Sequence, residues 1–121
     1  MKRIPQREKT RKIAELLRRE GKKKNKPIYI RLSEELLKPR RNKKAINLWK
    51  LSKLAEKFPN KWLITPRKVL GFGNIKNKIK VIGFEFSKNA EEKLRKTKCE
   101  FMTLEEILEK NISPAEMVIV K

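Results

Sequence analysis

The sequence predicts one small α/β domain that carries a basic helix and loop at its N-terminus. The length of 121 residues suits a single domain. Hydrophobic residues make up 38 % of the chain, which favours a modest folded core over a disordered basic tail. Short apolar runs typical of strands alternate with segments of helical periodicity, a pattern that indicates α/β packing. We expect residues 1–27 to form the basic helix and loop and residues 28–121 to form the α/β domain.

The first predicted element is an amphipathic helix over residues 8–20. Ile13, Leu16 and Leu17 recur at helical spacing and give the helix a narrow apolar stripe. Gly21 follows directly, and glycine commonly ends helices because it adopts the left-handed conformation without strain. We therefore expect the helix to end there.

The next segments are predicted to be short and to be separated by helix-breaking residues. A basic loop is expected over residues 21–27. A short helix over residues 34–38 would have Ser33 as its N-cap, and Pro39 would end it. Apolar residues at helical spacing predict a further helix over residues 52–58.

Two clear strand patterns and a well-delimited helix follow. Residues 62–64 are typical of a buried strand, and residues 79–86 give the strongest strand pattern in the chain. Ser87 is the expected N-cap of a helix over residues 88–96. The apolar run at residues 117–120 predicts a final strand.

A capping box indicates where another helix begins. Thr103 can accept a hydrogen bond from the amide three residues later, while Glu106 reaches back to the Thr103 amide. Ile107 and Leu108 are then expected to face the core.

Positive charge is concentrated in the first two thirds of the chain. Lys and Arg number 34 against 14 acidic residues, for a formal net charge of +20. Residues 1–44 contribute +13, residues 45–80 contribute +8, and residues 81–121 contribute −1. Since charge that served only solubility would be spread evenly, this division predicts that one end of the chain binds a polyanion.

The residue types present exclude several classes of site. The chain has no His, no Asp and one Cys, Cys99, which excludes zinc sites of the Cys/His kind, His-dependent nucleophilic catalysis and a disulfide within the chain. No apolar run approaches the roughly 20 residues that span a bilayer, and the basic N-terminus leads into no apolar signal segment. We therefore expect a cytoplasmic protein that is not an enzyme. It should have no catalytic residue, metal, cofactor, small-molecule substrate or membrane partner, and Cys99 should simply be buried.

The basic segments are the candidate binding residues. Residues 22–26 and 40–44 contain no acid, whereas an ordinary solvated face is balanced by Glu at helical spacing. Arginine can bind a phosphate with both arms of its guanidinium, and lysine supplies a mobile point charge. A nucleic acid is favoured over a membrane surface, because a membrane-bound helix needs bulky apolar residues opposite its basic face. The residues predicted to bind are Lys22, Lys23, Lys24, Lys26, Arg40, Arg41, Asn42, Lys43, Lys44, Arg67, Lys68, Lys76 and Lys78.

Two further features admit two interpretations each. The segment Gly71-Phe72-Gly73 lacks the third glycine of a dinucleotide fingerprint, because Lys76 stands in that place. It is either a tight turn between elements or a loop that approaches RNA. Trp49 and Trp62 are expected in the core, with stacking on a nucleobase as the alternative.

Two motifs resemble a known family. Residues 38–51, KPRRNKKAINLWKL, and residues 65–73, TPRKVLGFG, occur in this order ahead of the strand that ends at Phe86 and the helix that follows Ser87. Together with the segment that begins at Thr103, they resemble the archaeal and eukaryotic large-subunit ribosomal protein eighteen-e family, a relative of bacterial large-subunit protein fifteen. The resemblance implies an irregular β-β-α superhelical α/β domain with a basic N-terminal arm, and the short length looks archaeal.

The resemblance also implies a function. We expect a structural constituent of the large ribosomal subunit that binds ribosomal RNA (rRNA) by neutralising phosphates, with neighbouring large-subunit ribosomal proteins as further partners. The alternative is an RNA-processing or RNA-modifying factor with a basic RNA-binding face. A third class, a cationic membrane-surface protein, is less compatible with the weak apolar stripe of the first helix.

Overall fold

A computed structural model describes residues 6–38, 45–110 and 112–120. The contacts between Cα atoms divide the chain into two compact units, residues 1–42 and residues 43–121. The first unit is helical in its described part, and the second contains all the described strands.

The described residues of the first unit form two helices that pack on each other. Helix α1 runs over Gln6–Lys23 and helix α2 over Pro27–Leu36. Apolar side chains of both helices are buried, among them Leu17, Tyr29 and Leu32. The predicted basic N-terminal helix is thus confirmed.

The expectation that Gly21 ends the first helix is wrong, because the helix continues to Lys23. Asn25 instead adopts the left-handed conformation with a φ of 54°, and the Lys26 amide donates to the Gly21 carbonyl at 2.8 Å, which is the closing bond of a Schellman motif. Gly21 has a packing role, since a Cβ there would lie 2.9 Å from the Cγ1 atom of Ile30 on α2. The basic loop is correspondingly shorter than predicted.

The predicted start of the second helix is also wrong. Helix α2 begins at Pro27, whose fixed φ and missing N–H suit the first helical position. Ser33 is buried in the interior of the helix, where its hydroxyl donates to the Ile30 carbonyl at 2.7 Å. Pro39, the predicted stop, lies outside the described residues.

The described residues of the second unit form two helices, seven short strands and two single 3-10 turns. The strands are β1 (Ile46–Asn47), β2 (Trp62–Ile64), β3 (Lys68–Leu70), β4 (Lys80–Gly83), β5 (Glu85–Phe86), β6 (Glu100–Thr103) and β7 (Met117–Ile119). The helices are α3 (Leu48–Lys57) and α4 (Lys88–Lys96), and the 3-10 turns are Glu106–Glu109 and Pro114–Glu116. Helix α3 therefore starts four residues before the predicted residue 52.

All described strand pairs are parallel, which confirms the α/β class. The strand order is β1-β3-β5 in one sheet and β6-β4-β2-β7 in the other. Parallel neighbours need crossover connections, and these are supplied by the helices and loops between the strands. In the larger sheet Leu63 of β2 pairs with Val81 of β4, which in turn pairs with Phe101 of β6.

The strand predicted over residues 79–86 is divided between the two sheets. Its first part is β4 of the larger sheet and its last part is β5 of the smaller sheet. Gly83 lies at the crossing, where a Cβ would come within 2.9 Å of the Cγ2 atom of Val69. The absence of a side chain at this position lets the chain pass between the sheets. Strands β3 and β6, which begin with charged residues and are only three and four residues long, were not predicted.

The predicted N-cap and the predicted bounds of helix α4 are confirmed. The Ser87 hydroxyl accepts from the Ala90 amide at 3.1 Å, which is an N-cap bond. At the other end Lys98 is left-handed with a φ of 55°, and the Cys99 amide donates to the Leu94 carbonyl at 2.9 Å.

The capping box is formed, but it opens a single 3-10 turn and not an α-helix. The Glu106 amide donates to the Thr103 hydroxyl at 3.4 Å, and the Thr103 amide donates to the Glu106 carboxylate at 3.3 Å. Ile107 is buried as predicted, whereas Leu108 is only half-buried.

The core of the second unit joins both helices to the two sheets. Leu48, Leu51, Leu63, Val81 and Leu94 are fully buried in one apolar cluster. Trp62 and Cys99 are also buried, as predicted, and the Cys99 thiol accepts from the Ile79 amide at 3.4 Å. No helix in the described ranges is long and apolar enough to cross a membrane.

The cap of α4 gives a direct test of this fold. Ser87→Ala removes the acceptor for the Ala90 amide and should lower the free energy of unfolding by about 1 kcal/mol. Ser87→Asp keeps an acceptor at the positive end of the helix and should retain stability. Urea denaturation measures both, and equal midpoints for Ser87→Ala and the unaltered protein would contradict the cap.

Candidate nucleic-acid interface

The first group of predicted residues lies where α1 ends. Lys22 and Lys23 are exposed in the last turn of α1. Lys24 forms an ion pair with Glu20 at 3.4 Å. Lys22 and Lys23 have no such partner within 4 Å among the described residues, so both ammonium groups remain available to an external anion.

Lys26 is partly engaged within the fold. Its ammonium lies 5.4 Å from the centre of the Tyr29 ring, which is a cation–π distance. Burial, and to a lesser extent the Glu20 carboxylate, raises the pKa of the Tyr29 hydroxyl above its usual value of 10.0. Tyr29 is therefore neutral at physiological pH.

The second predicted group, residues 40–44, lies outside the described residues. It comprises Arg40, Arg41, Asn42, Lys43 and Lys44. Its role stays a prediction from the sequence.

The third group lies on and beside β3. Lys68 begins β3, and Lys76 and Lys78 follow in the loop of residues 71–79 that leads to β4, which we term the β3–β4 loop; all three side chains are exposed. Arg67 is half-buried, and its backbone is fixed at both ends, because its amide donates to the Thr65 hydroxyl and its carbonyl accepts from the Phe84 amide, both at 3.2 Å. These two bonds fix the backbone just before β3, where the segment that carries Lys68, Lys76 and Lys78 begins.

Hydrogen bonds fix the β3–β4 loop to both helices of its unit. The Trp49 amide at the start of α3 donates to the Phe72 carbonyl at 3.2 Å, and the Lys76 amide donates to the Ser52 hydroxyl at 3.2 Å. From α4, the half-buried Lys93 ammonium donates to the Gly71 carbonyl at 2.6 Å and to the Gly73 carbonyl at 3.0 Å. The backbone that carries Lys76 is therefore held in one place.

The two glycines of the loop are required by close packing. A Cβ at Gly71 would lie 2.7 Å from the Ala90 amide nitrogen of α4. Gly73 has a φ of 95°, which disfavours other residues, and a Cβ there would collide with the Cβ atom of Trp49. The tight-turn interpretation accounts for both glycines, while an approach of the loop to RNA stays a prediction.

The expectation that Trp49 is in the core is wrong. Its side chain is 41 % exposed, and the neighbouring Phe72 is 70 % exposed. Trp49 lies in the first turn of α3, where Gly73 occupies one side and the Lys53 ammonium lies 5.6 Å from the ring centre. The exposure of Phe72 was not predicted, although its position between two glycines in a turn is a signal for it.

A cleft that the sequence did not predict brings further lysines to Lys78. It has a volume of about 650 Å³ and is lined by Lys61, Lys78, Lys80 and Lys98, together with two glutamates. Two of these lysines make contacts within the fold, because Lys61 donates to the Ala115 carbonyl and Lys80 lies 5.7 Å from the centre of the Trp62 ring. These lysines come from segments far apart in the chain, so no basic run in the sequence marks the cluster.

The distribution of acids makes the second unit strongly asymmetric. Between residues 43 and 84 the sequence of this unit contains eleven Lys and Arg but a single acid, Glu56. Within the described part of the second unit, an ion pair joins Arg95 to Glu91 at 3.8 Å, on α4. The exposed lysines of β3 and the β3–β4 loop are Lys68, Lys76 and Lys78, and we term them the cationic surface. The stretch of sequence that carries them, residues 57–84, contains no acid.

Similarity to known proteins identifies the family. Residues 10–101 match the model of a family described as ribosomal proteins 50S-L15, 50S-L18e and 60S-L27a. The chain belongs to this family. The resemblance read from the two sequence motifs is confirmed.

Archaeal members of the family are similar over most of their length. The large ribosomal subunit protein eL18 of Sulfurisphaera tokodaii is 38 % identical over 99 residues, which cover 82 % of this chain and 79 % of that protein. The protein of the same name from Archaeoglobus fulgidus is 35 % identical over 99 residues, covering 82 % and 83 %. That of Methanococcus maripaludis is 31 % identical over 111 residues, covering 92 % and 91 %. The expected archaeal kinship agrees with these relatives.

The family match includes the whole cationic surface described above. It extends from α1 to the second residue of β6, and therefore contains β3, the β3–β4 loop and both helices that hold the loop. The loop and its supports thus belong to the part of the chain by which the family is defined.

The ammonium of Lys93 gives a test of how the loop is held. Lys93→Met removes the donor for two carbonyls and should lower the free energy of unfolding by about 1–2 kcal/mol, after allowance for partial exposure. Hydrogen exchange at the Trp49 amide, which bonds to the loop, should become faster. Lys88→Met is the matched control, because it removes an exposed lysine from the same helix. Unchanged exchange in Lys93→Met would contradict the proposed support.

Proposed function

We propose that this chain is a structural constituent of the large ribosomal subunit that binds rRNA by neutralising its phosphates. Membership of a ribosomal protein family supports the proposal that the chain acts within the ribosome. The exposed lysines of a nearly acid-free segment support the mode of binding. No reaction is part of this function.

The cationic surface suits a phosphate backbone in both charge and rigidity. Each lysine that approaches a phosphate releases condensed counterions, and this release dominates the affinity of sequence-independent nucleic-acid binding. Lys76 stands on backbone that Ser52 and the two helices already hold. Less conformational freedom is therefore lost when its ammonium meets a phosphate.

The C-terminal third of the chain is proposed to face away from rRNA. Residues 81–121 carry a net charge of −1, and Glu92, Glu105 and Glu109 are exposed. Placing these carboxylates against phosphates would raise the free energy of the complex through like-charge repulsion. This surface is therefore available to solvent or to a neighbouring large-subunit ribosomal protein.

Two variants of equal net charge distinguish binding by a particular surface from binding that depends only on the overall charge of the protein. Lys68→Gln, Lys76→Gln and Lys78→Gln together remove three lysines of the cationic surface, whereas Lys88→Gln, Lys96→Gln and Lys110→Gln together remove three exposed lysines of the C-terminal third. The first variant should reduce the slope of log affinity against log salt by about 2–3, because about 0.7–0.9 is lost per phosphate contact. The second variant should leave the slope unchanged.

The measurement is the affinity for fragments of archaeal large-subunit rRNA as salt is raised. With about 6–10 phosphate contacts, binding of the unaltered protein should weaken by about 10³–10⁵ between 50 and 200 mM salt. A flat salt dependence would contradict phosphate neutralisation. Equal losses in the two variants would show that net charge alone governs binding and would contradict the assigned surface.

A further inference from the structure

We propose that Trp49 and Phe72 form a stacking site for an unpaired nucleobase of RNA. This inference depends on the proposed function, because it adds a contact to bases beside the contacts to phosphates. The two residues are called the stacking site below.

The stacking site is an exposed aromatic surface on a folded unit. Four large apolar side chains are exposed among the described residues: Leu37, Trp49, Phe58 and Phe72. Single exposed apolar residues are common and need no explanation. Trp49 and Phe72 differ because the Trp49 amide donates directly to the Phe72 carbonyl at 3.2 Å, so that the backbones of two exposed aromatic residues are in contact.

The backbone beneath Phe72 is fixed on both sides. The carbonyls of Gly71 and Gly73, which flank Phe72, both accept from the Lys93 ammonium. Each glycine packs against a helix so closely that no Cβ would fit. The loop therefore presents Phe72 to solvent in a set position, and a ligand that stacks on the ring need not order the loop first.

The surrounding charge selects RNA as the occupant. Lys53 lies 5.6 Å from the centre of the Trp49 ring, and Lys50 and Lys76 are exposed nearby in the chain. No acid occurs between residues 57 and 84. A nucleotide supplies both an aromatic face for the rings and a phosphate for the ammonium groups.

The geometry also favours an unpaired base over a duplex. Stacking on an aromatic side chain requires a free base face, which a nucleotide in a loop or bulge presents and a paired nucleotide inside a helix does not. Such stacking tolerates any base, because each has a π-face. The site therefore adds affinity for single-stranded segments without selecting a sequence.

The test compares oligonucleotides that differ only in the presence of bases. One probe is an oligouridylate of about ten nucleotides. The other is an abasic ribose-phosphate oligomer of the same length and charge. Phe72→Ala should weaken oligouridylate binding about tenfold, leave abasic binding unchanged and leave the salt slope unchanged. Phe72→Tyr keeps the ring and should bind as the unaltered protein does.

Phe58→Ala is the matched control for the loss of a phenyl group. Phe58 is 38 % exposed and ends α3 at the opposite end from Trp49. Its removal should not alter the difference between the two probes. Thermal unfolding of Phe72→Ala should match the unaltered protein, since the side chain is 70 % exposed.

Indole fluorescence gives a second, independent readout. In a Trp62→Phe background, Trp49 is the remaining tryptophan of the chain. Oligouridylate should quench its emission by stacking, whereas the abasic oligomer at equal saturation should not.

The outcomes separate the stacking site from the proposed function. If Phe72→Ala binds both probes as tightly as the unaltered protein, or loses affinity for both equally, the stacking site is wrong while phosphate binding stands. If the same change leaves RNA binding intact but releases a protein neighbour from the large subunit, the surface is a protein-docking site and the nucleobase assignment is wrong. If the unaltered protein binds neither probe nor rRNA fragments, both proposals are wrong.

Discussion

The ammonium of Lys93 joins helix α4 to the β3–β4 loop. It donates to the carbonyls of Gly71 and Gly73 from the middle of α4, so one positive charge satisfies two backbone acceptors of the β3–β4 loop. A charged donor makes stronger hydrogen bonds than a neutral one. The loop is consequently held against α3 and α4, and the exposed side chains of Phe72 and Lys76 stand on a fixed backbone.

Positive charge has opposite effects on the isolated fold and on the proposed complex. A net charge of +20 on 121 residues produces self-repulsion in the compact state. The nearly acid-free segment between residues 36 and 84 concentrates that repulsion where few carboxylates relieve it. Phosphates that bind there would relieve this repulsion, and their binding would also release condensed counterions. A chain selected for its own stability alone would instead interleave acids with the lysines.

The sequence correctly predicted those structural features that depend on residues close together in the chain. Ser87 caps a helix because its own hydroxyl reaches an amide three residues away, and the apolar run at Trp62 forms a buried strand. The role of Gly21 depends on Ile30 of the next helix, and the packing around Trp49 depends on Gly73 from a distant loop. These partners are not adjacent in sequence. The local pattern therefore predicted, wrongly, that Gly21 ends a helix and that Trp49 lies in the core. The concentration of positive charge in the first two thirds of the chain can be read from the sequence. The cleft beside Lys78 cannot, because its lining residues come together only in the folded structure.

The orientation of the chain on RNA is the central claim, and cleavage from tethered reagents tests it most directly. Cys99 is the single cysteine and is buried, so Cys99→Ala gives a background in which a new thiol is the only attachment point. An iron chelate is attached to Lys76→Cys in one protein and to Glu109→Cys in another, and each is bound to archaeal large-subunit rRNA. The account predicts strong cleavage from position 76 and little from position 109. Equal cleavage from both positions would contradict it.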